Sequence, residues 1–188
     1  AADAGIDVTI STGDMDFAQL ARAPGEGGAI ALVNTMSGSR MDSEAAVVEK
    51  FGVPPQRIVD LLALMGDTVD NVIGVEKCGP KTAAKWLGEH GSLDGVIAAA
   101  AGIKGKIGDN LRAALPRLPL NRQLVTIRTD VPLQCRPEDL RLREPHVEDL
   151  RALYRRYGFN QALKELEGGA LAGGPALEVA EKEPARAR

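Results

Sequence analysis

An apolar run, Leu61–Met65, ends at Gly66 and is followed at once by two aspartates, Asp67 and Asp70. A glycine-punctuated stretch then leads to Pro80-Lys81-Thr82, which opens the next helical pattern. Packing a hydrophobic core does not require carboxylates at the end of a helix, because the helix dipole disfavours anions there. The order therefore predicts either that a cation joins the two carboxylates or that Asp67 caps a new turn.

A second acidic pair, Asp14 and Asp16, follows a short predicted strand over Asp7–Ser11. Ligand sites in parallel α/β sheets gather where strands end, and Mg²⁺ is commonly held by one or two carboxylates. This pair therefore predicts a divalent metal site. The structural alternative is that Asp16 caps the short helical pattern that follows and that Asp14 turns the loop.

The stretch from Gly74 to Thr82 predicts a phosphate-binding turn. Its glycines expose backbone N–H groups before a helix N-terminus, and Lys81 and Lys85 lie one helical turn apart. The spacing differs from that of a nucleotide P-loop, so a nucleic-acid backbone suits it better than ATP. A simple helical hairpin is the structural alternative.

The formal net charge of −3 hides an asymmetry along the chain. Residues 1–76 contain 12 acidic and four basic side chains, whereas residues 77–122 contain eight basic and three acidic ones. Such a layout is expected where one part holds cations and the next holds a polyanion, although solvated helix faces also produce it.

The two cysteines, Cys78 and Cys135, fit neither a metal-finger spacing nor a disulfide framework, which favours free thiols in a cytoplasmic protein. No apolar run approaches the length of a membrane span.

The remaining patterns predict alternating strand and helix, then short helices. A second strand is predicted over Ala29–Thr35. Helices with capping residues, glycine or proline at their ends are predicted in SEAAVVEKFG, PPQRIVDLLALMG, PKTAAKWLGEHG, SLDGVIAAAA, IGDNLRAALPRL and LPLNRQLVTIRT.

Two further predictions concern the C-terminal part. The pattern of residues 147–159 predicts an amphipathic helix whose Leu150, Leu153, Tyr154 and Tyr157 face the core. The composition beyond Glu167 predicts a flexible linker or tail.

The segments ISTGDMDFAQL, LLALMGDTVDNVIGV and GPKTAAKWL, in this order, resemble the 5′ nuclease (5′–3′ exonuclease) domain of bacterial DNA polymerase I, within the wider flap-endonuclease family. The resemblance runs from about Ile6 to Thr129 and more faintly to Leu166. It implies an α/β fold in which a partial PIN-like, Rossmann-like nuclease sheet precedes an all-helical helix-two-turn-helix region, of the helix-hairpin-helix kind. The implied divisions are residues 1–65, 66–166 and 167–188.

The resemblance also implies site residues. The family's divalent-metal aspartates match Asp14, Asp16, Asp67 and Asp70, as part of a two-metal site for Mg²⁺ or Mn²⁺. The helix-two-turn-helix, which grips the duplex backbone in the family, often with a bound monovalent cation such as K⁺, matches Gly74, Val75, Gly79, Lys81, Thr82 and Lys85.

The implied activity is hydrolysis of DNA phosphodiesters in repair and in primer removal during replication. The substrate would be duplex DNA with a 5′ flap or nick, and the rest of a polymerase chain would be the partner in cis. The family's other metal carboxylates and its basic arch lie upstream of the matched region, and the chain opens with Ala1, so we expect a fragment. Two alternatives stay open: a non-catalytic duplex-DNA-binding module formed by residues 74–122, and a small stand-alone flap nuclease.

Overall fold

The computed structural model, which describes residues 1–25, 27–141 and 144–168, places a three-stranded sheet near the start of the chain. Strand β1 (Val8–Ser11) pairs in parallel with β2 (Ile30–Asn34), and β3 (Ser39–Met41) pairs antiparallel with β2. The two predicted strands are confirmed to within a residue at each end. The third was not predicted, because a three-residue strand with two exposed positions shows no apolar alternation.

A short 3₁₀ helix, Asp16–Leu20, connects β1 to β2. The prediction that Asp16 caps this helix is wrong, because Met15 occupies the capping position and the Asp16 N–H at the helix start donates to the Asp14 side chain. Asp16 is instead the first residue inside the helix, one position too late for its carboxylate to serve as the cap. Its side chain is therefore left for another role.

Helices make up the rest of this part of the chain, where the capping signals predict them. Ser43 and Ser92 begin two of them, each accepting a hydrogen bond from the backbone N–H three residues on. The bounds are α1 Glu44–Phe51, α2 Ile58–Met65, α3 Pro80–His90, α4 Leu93–Ala99, α5 Gly105–Ala114 and α6 Leu118–Val125.

Helix α2 is the centre of the core. It packs against α3, α4, α6 and the 3₁₀ helix, and its side chains Ile58, Leu61, Leu62 and Leu64 are buried. Burial of each such side chain contributes roughly 1.5–3 kcal/mol. Trp86 on α3 is buried as well.

One buried carboxylate ties three of these helices together. Asp60 on α2 accepts a hydrogen bond from the backbone N–H of Leu93 at the start of α4 and one from Arg57. Its other oxygen lies 3.6 Å from the Arg122 guanidinium of α6. Because a buried carboxylate is stable only when paired and hydrogen-bonded, these contacts fix α4 and α6 against α2.

Two glycines, Gly66 and Gly74, allow two segments of the main chain to pass very close to each other directly after α2, at what we call the glycine crossing. There β4 (Gly66–Asp67) pairs antiparallel with β5 (Val72–Ile73) as a two-stranded ribbon. A Cβ atom on Gly66 would lie 2.4 Å from the Gly74 nitrogen, and one on Gly74 would lie 2.2 Å from the Met65 carbonyl carbon. Gly66 also has φ +77°, in the left-handed region. Only glycine therefore fits at either position.

The structure divides into two units, Ala1–Gln134 and Cys135–Arg188. In the second unit, α7 (Val147–Tyr157) packs against α8 (Asn160–Glu167). The prediction that one face of α7 is core is wrong: no residue of the helix is fully buried, and Leu153 and Tyr157 are exposed.

Within the described part of the second unit, a pair of helices buries only the strip where the two helices meet, which leaves part of the α7 face exposed. The predicted tail falls mostly on residues 169–188, outside the described residues.

Both cysteines are free thiols, as predicted. Burial raises the pKa of the Cys78 thiol to about 11, whereas Cys135 is exposed. No helix in the described residues is long and apolar enough to cross a membrane.

The glycine crossing can be tested by substitution. Gly74→Ala should lower the free energy of unfolding by about 3 kcal/mol or more, because the added methyl group meets backbone that cannot move aside. Gly88→Ala is the matched control: this exposed glycine on α3 has open space around it, so alanine should stabilise the helix by roughly 0.5–1 kcal/mol. Urea unfolding followed by circular dichroism measures both, and equal stability of the two variants would contradict the crossing.

Candidate metal and nucleic-acid site

Aspartates from two separate turns meet at one cleft. Asp14 follows the end of β1, and Asp67 and Asp70 lie in the ribbon turn after α2. All three line the same cleft, which has a volume of about 270 Å³. The fold therefore brings together carboxylates that are more than 50 positions apart in the sequence.

Asp16 has the most perturbed carboxyl group of the cluster. Burial, and then the negative charges of Asp14, Asp67 and Asp70, raise its pKa to about 6. Its Oδ1 atom is buried and has no hydrogen-bond partner in the described structure. Such a group is costly to keep charged unless a cation joins it.

The other aspartates also organise their own turns. Asp14 accepts a hydrogen bond from the Asp16 backbone N–H at 3.0 Å, and Asp67 accepts from the backbone N–H groups of Val69 (2.7 Å) and Asp70. Asp67 thus caps a turn, as one interpretation of the sequence allowed, although the turn belongs to a ribbon and not to a helix. Each of these two side chains keeps a second oxygen for another partner.

The cluster suits a hard cation with many waters better than a closed protein cage. Within the described residues, no three His, Cys, Asp or Glu side chains are placed so that all could hold one ion. Mg²⁺ is usually held by one or two carboxylates, with waters and substrate phosphates completing its shell. The carboxylate oxygens of the aspartates, including the unpartnered Asp16 Oδ1 atom, fit that pattern.

Two backbone hydrogen bonds are made by the turn that follows the acidic ribbon, the β4–β5 pair of residues 66–73. The Val75 N–H donates to the Leu64 carbonyl at the end of α2 (2.7 Å), and the Cys78 N–H donates to the Val75 carbonyl (2.9 Å). Val75 is buried, and its N–H and carbonyl groups both take part in these hydrogen bonds. Lys77 has φ +65°, a conformation uncommon outside glycine, which the turn requires.

Helix α3 begins at this turn with a lysine facing solvent. Gly79 precedes the helix in extended conformation, and its carbonyl accepts the N–H groups of Thr82 and Ala83. Lys81 is exposed and has no ion-pair partner in the described residues. Lys85 lies 3.8 Å from Glu89, so part of its charge is already paired.

A groove of about 550 Å³ runs between this helix start and the end of α1. Gly79, Pro80 and Lys81 line one side, and Lys50 and Phe51 line the other. Lys50 carries no functional signal in the sequence, because a lysine in the last turn of a helix is common for reasons of helix stability alone.

Asn121, a polar residue on α6, is also absent from the site residues predicted from the sequence. Asn121 stands three residues after Leu118 and four before Val125, so it interrupts an apolar stripe, and it is 3% exposed. An amide on the buried face of a helix signals a specific hydrogen-bonding role, and that signal is visible in the sequence.

The fold is shared with solved nuclease structures. A mutant of T5 5′-exonuclease is 25% identical, with a TM-score of 0.56, over 63% of this chain and 47% of that one. A structure of the T5 protein co-crystallised with metal ions is also 25% identical, with a TM-score of 0.56, over 63% of this chain and 43% of that one. Carboxylates in a cleft beside a basic helical turn, on this fold, define the class of 5′ nucleases.

The family model for the 5′-3′ exonuclease, C-terminal SAM fold, matches residues 53–148, and the chain belongs to this family. DNA polymerase I of Pseudomonas aeruginosa is 46% identical over 171 residues, which cover 85% of this chain and 18% of that relative. DNA polymerase I of Rhizobium leguminosarum is 36% identical, over 96% of this chain and 19% of the relative. The chain thus spans about a fifth of the length of these relatives.

The electrostatic strain on Asp16 predicts a measurable stability effect. Without metal, Asp16→Asn should raise the melting temperature near neutral pH, because it removes a charge that the fold disfavours. The penalty is complete above about pH 6, where the folded carboxyl is ionised, and it disappears as the pH falls toward the ordinary value of 3.8. The gain should therefore shrink on acidification, and added Mg²⁺ should stabilise the unsubstituted protein more than the variant.

Thermal melts in chelator and in Mg²⁺, across this pH range, make the measurement. Glu49→Gln is the control, because Glu49 is an exposed carboxylate on α1, away from the cleft. A variant no more stable than the unsubstituted protein at neutral pH would contradict the assigned strain.

Proposed function

We propose that this chain is part of a structure-specific 5′–3′ exonuclease and flap endonuclease of the DNA polymerase I type. It would hydrolyse DNA phosphodiesters in repair and primer removal. The observation that carries the proposal is that Asp14, Asp67 and Asp70 line one cleft. Asp16 does not line the cleft, but the charges of these three aspartates act on its carboxyl group, whose buried Oδ1 atom has no partner in the described structure. Membership in the 5′-3′ exonuclease family supports it.

In this proposal the four aspartates hold divalent cations, Mg²⁺ or Mn²⁺, as part of a two-metal site. The T5 relative was co-crystallised with metal ions, which supports the requirement. When bound, such cations supply an activated water and neutralise the charge that develops on the scissile phosphate. The backbone N–H groups that orient Asp14 and Asp67 leave one oxygen of each carboxylate for this purpose.

The turn from Gly74 to Thr82 would hold the duplex. Exposed Lys81 and the N-terminus of α3 favour a phosphate, and Lys50 across the groove would add a second positive charge. Gly74, Val75 and Gly79 would contribute backbone groups, whereas Thr82 and Lys85 would contribute side chains. A K⁺ ion at this turn stays a prediction from the family resemblance.

The partners in this proposal are duplex DNA with a 5′ flap or nick and the rest of a polymerase chain in cis. The likeness to DNA polymerase I supports the second of these, and with it a cytoplasmic location. The division into a nuclease core over residues 1–65, a DNA-binding region over 66–166 and a tail also stays part of the proposal.

The catalytic part of the proposal is tested by Asp70→Asn in the complete gene product that contains this chain. Asp70 is exposed and donates only its backbone N–H within the turn, so the substitution should leave the fold intact. We expect Mg²⁺-dependent cleavage of a 5′-flap duplex to fall by about 100-fold or more, the scale of losing one preorganised electrostatic contact. Glu49→Gln should cleave normally, and full activity of Asp70→Asn would remove Asp70 from the mechanism.

The duplex-holding part is tested by the salt dependence of binding. Lys81→Ala should weaken duplex binding and reduce the slope of log affinity against log salt by about one, because one phosphate contact is lost. Lys164→Ala, which changes an exposed lysine on α8, should leave the slope unchanged. Filter binding over a salt series measures both. Salt-dependent binding without any Mg²⁺-dependent cleavage would favour the non-catalytic duplex-binding module.

A further inference from the structure

Two polar side chains, Arg117 at the N-cap of α6 and Asn121 within α6, reach the backbone that joins the acidic ribbon to the phosphate-binding turn. Arg117 donates from Nε to the Ile73 carbonyl at 3.1 Å and from Nη2 to the Gly74 carbonyl at 2.9 Å. Asn121 donates from Nδ2 to the same Ile73 carbonyl at 2.8 Å and to the Ala63 carbonyl at 3.0 Å. Four hydrogen bonds thus converge on three carbonyl groups.

These carbonyl groups lie at the junction of the two parts of the site. Ala63 belongs to the last turn of α2, where carbonyl groups lose their helical partners, and the acidic ribbon begins three residues later. Ile73 ends that ribbon, and Gly74 opens the phosphate-binding turn. Arg117 and Asn121 therefore hold the end of α2 and the end of the acidic ribbon against the start of the phosphate-binding turn.

The backbone alone leaves this junction weakly specified. The ribbon consists of two residue pairs, and a two-stranded ribbon of that size is not stable by itself. The Val75 N–H bond to Leu64 supplies one further link. Apolar packing of α6 does not require a polar group here, although Asn121 lies between the buried Leu118 and Val125 on the same face. The polar side chains instead specify the geometry, because hydrogen bonds are directional and apolar contacts are not.

We propose that Arg117 and Asn121 are positioning residues that set the distance between the carboxylate cleft and the duplex-holding turn. This inference rests on the proposed nuclease function. Neither residue lines the cleft or the groove at α3, so both act through the backbone of residues 63–74. The distance they set would determine which phosphodiester, counted from the point where the duplex is held, reaches the metal site.

The test uses the complete gene product and a 5′-labelled flap duplex whose products are resolved at single-nucleotide length. Arg117→Gln removes the bidentate contact, and Arg117→Lys keeps the charge but cannot bridge two carbonyl groups in the same way. We expect cleavage to spread to neighbouring phosphodiesters. We also expect kcat to fall about 10- to 100-fold with little change in KM, because small misplacements of reacting groups cost that much in rate.

Arg112→Gln is the matched control. Arg112 also donates to two backbone carbonyl groups, those of Ala100 and Ile103, but these lie in the α4–α5 connection, away from both parts of the site. The Arg112→Gln substitution should lower the melting temperature without changing the cleavage position. Melting curves of all variants distinguish loss of the folded structure from a change in cleavage position. Arg117→Lys provides a folded variant if Arg117→Gln does not fold.

Unchanged cleavage positions and kcat in folded Arg117 variants would overturn the inference while leaving the proposed function in place. An equal spread of products with Arg112→Gln would also overturn it, because the effect would then follow general destabilisation. An unsubstituted protein that does not cleave in Mg²⁺ would overturn the proposed function, and this inference with it.

Discussion

The site depends on the close approach of two backbone segments at Gly66 and Gly74. No side chain fits between them, since a Cβ atom on either glycine would lie within 2.5 Å of the opposing main chain. This approach lies where the acidic ribbon, residues 66–73, meets the turn of residues 74–82. Arg117 donates to the Gly74 carbonyl and Asn121 to the Ala63 carbonyl beside it.

The apolar core around α2 explains why the fold tolerates a cluster of like charges. Burial, and then the charges of three neighbouring aspartates, raise the pKa of Asp16, so the ionised form of this carboxyl group opposes folding. The core around α2 offsets this cost with its fully buried Ile58 and leucine side chains. Destabilised carboxylates held by a rigid core are typical of functional sites, because a preformed charge pattern binds a cation without rearrangement.

Local signals were sufficient for the elements with strong patterns. Strands β1 and β2 and helices α1 to α6 could be predicted from apolar periodicity and from caps such as Ser43 and Ser92. The β4–β5 ribbon could not, because two-residue strands carry no periodicity. The error on α7 had another cause: its face is amphipathic, but amphipathicity does not say how much cover a helix receives, and Leu153 is exposed.

The sequence by itself determined the kinds of group at the site: carboxylates after a strand and after a helix, glycines between them, and lysines at the start of α3. Only the tertiary structure decided that Asp14 and Asp67 line the same cleft, that Asp16 is left unpartnered instead of capping a helix, and that α6 holds the junction. The physical reason is the range over which each kind of interaction acts. Caps and turns act over a few residues, whereas charge interactions and burial depend on distances through space, which the chain path sets only when the core has packed.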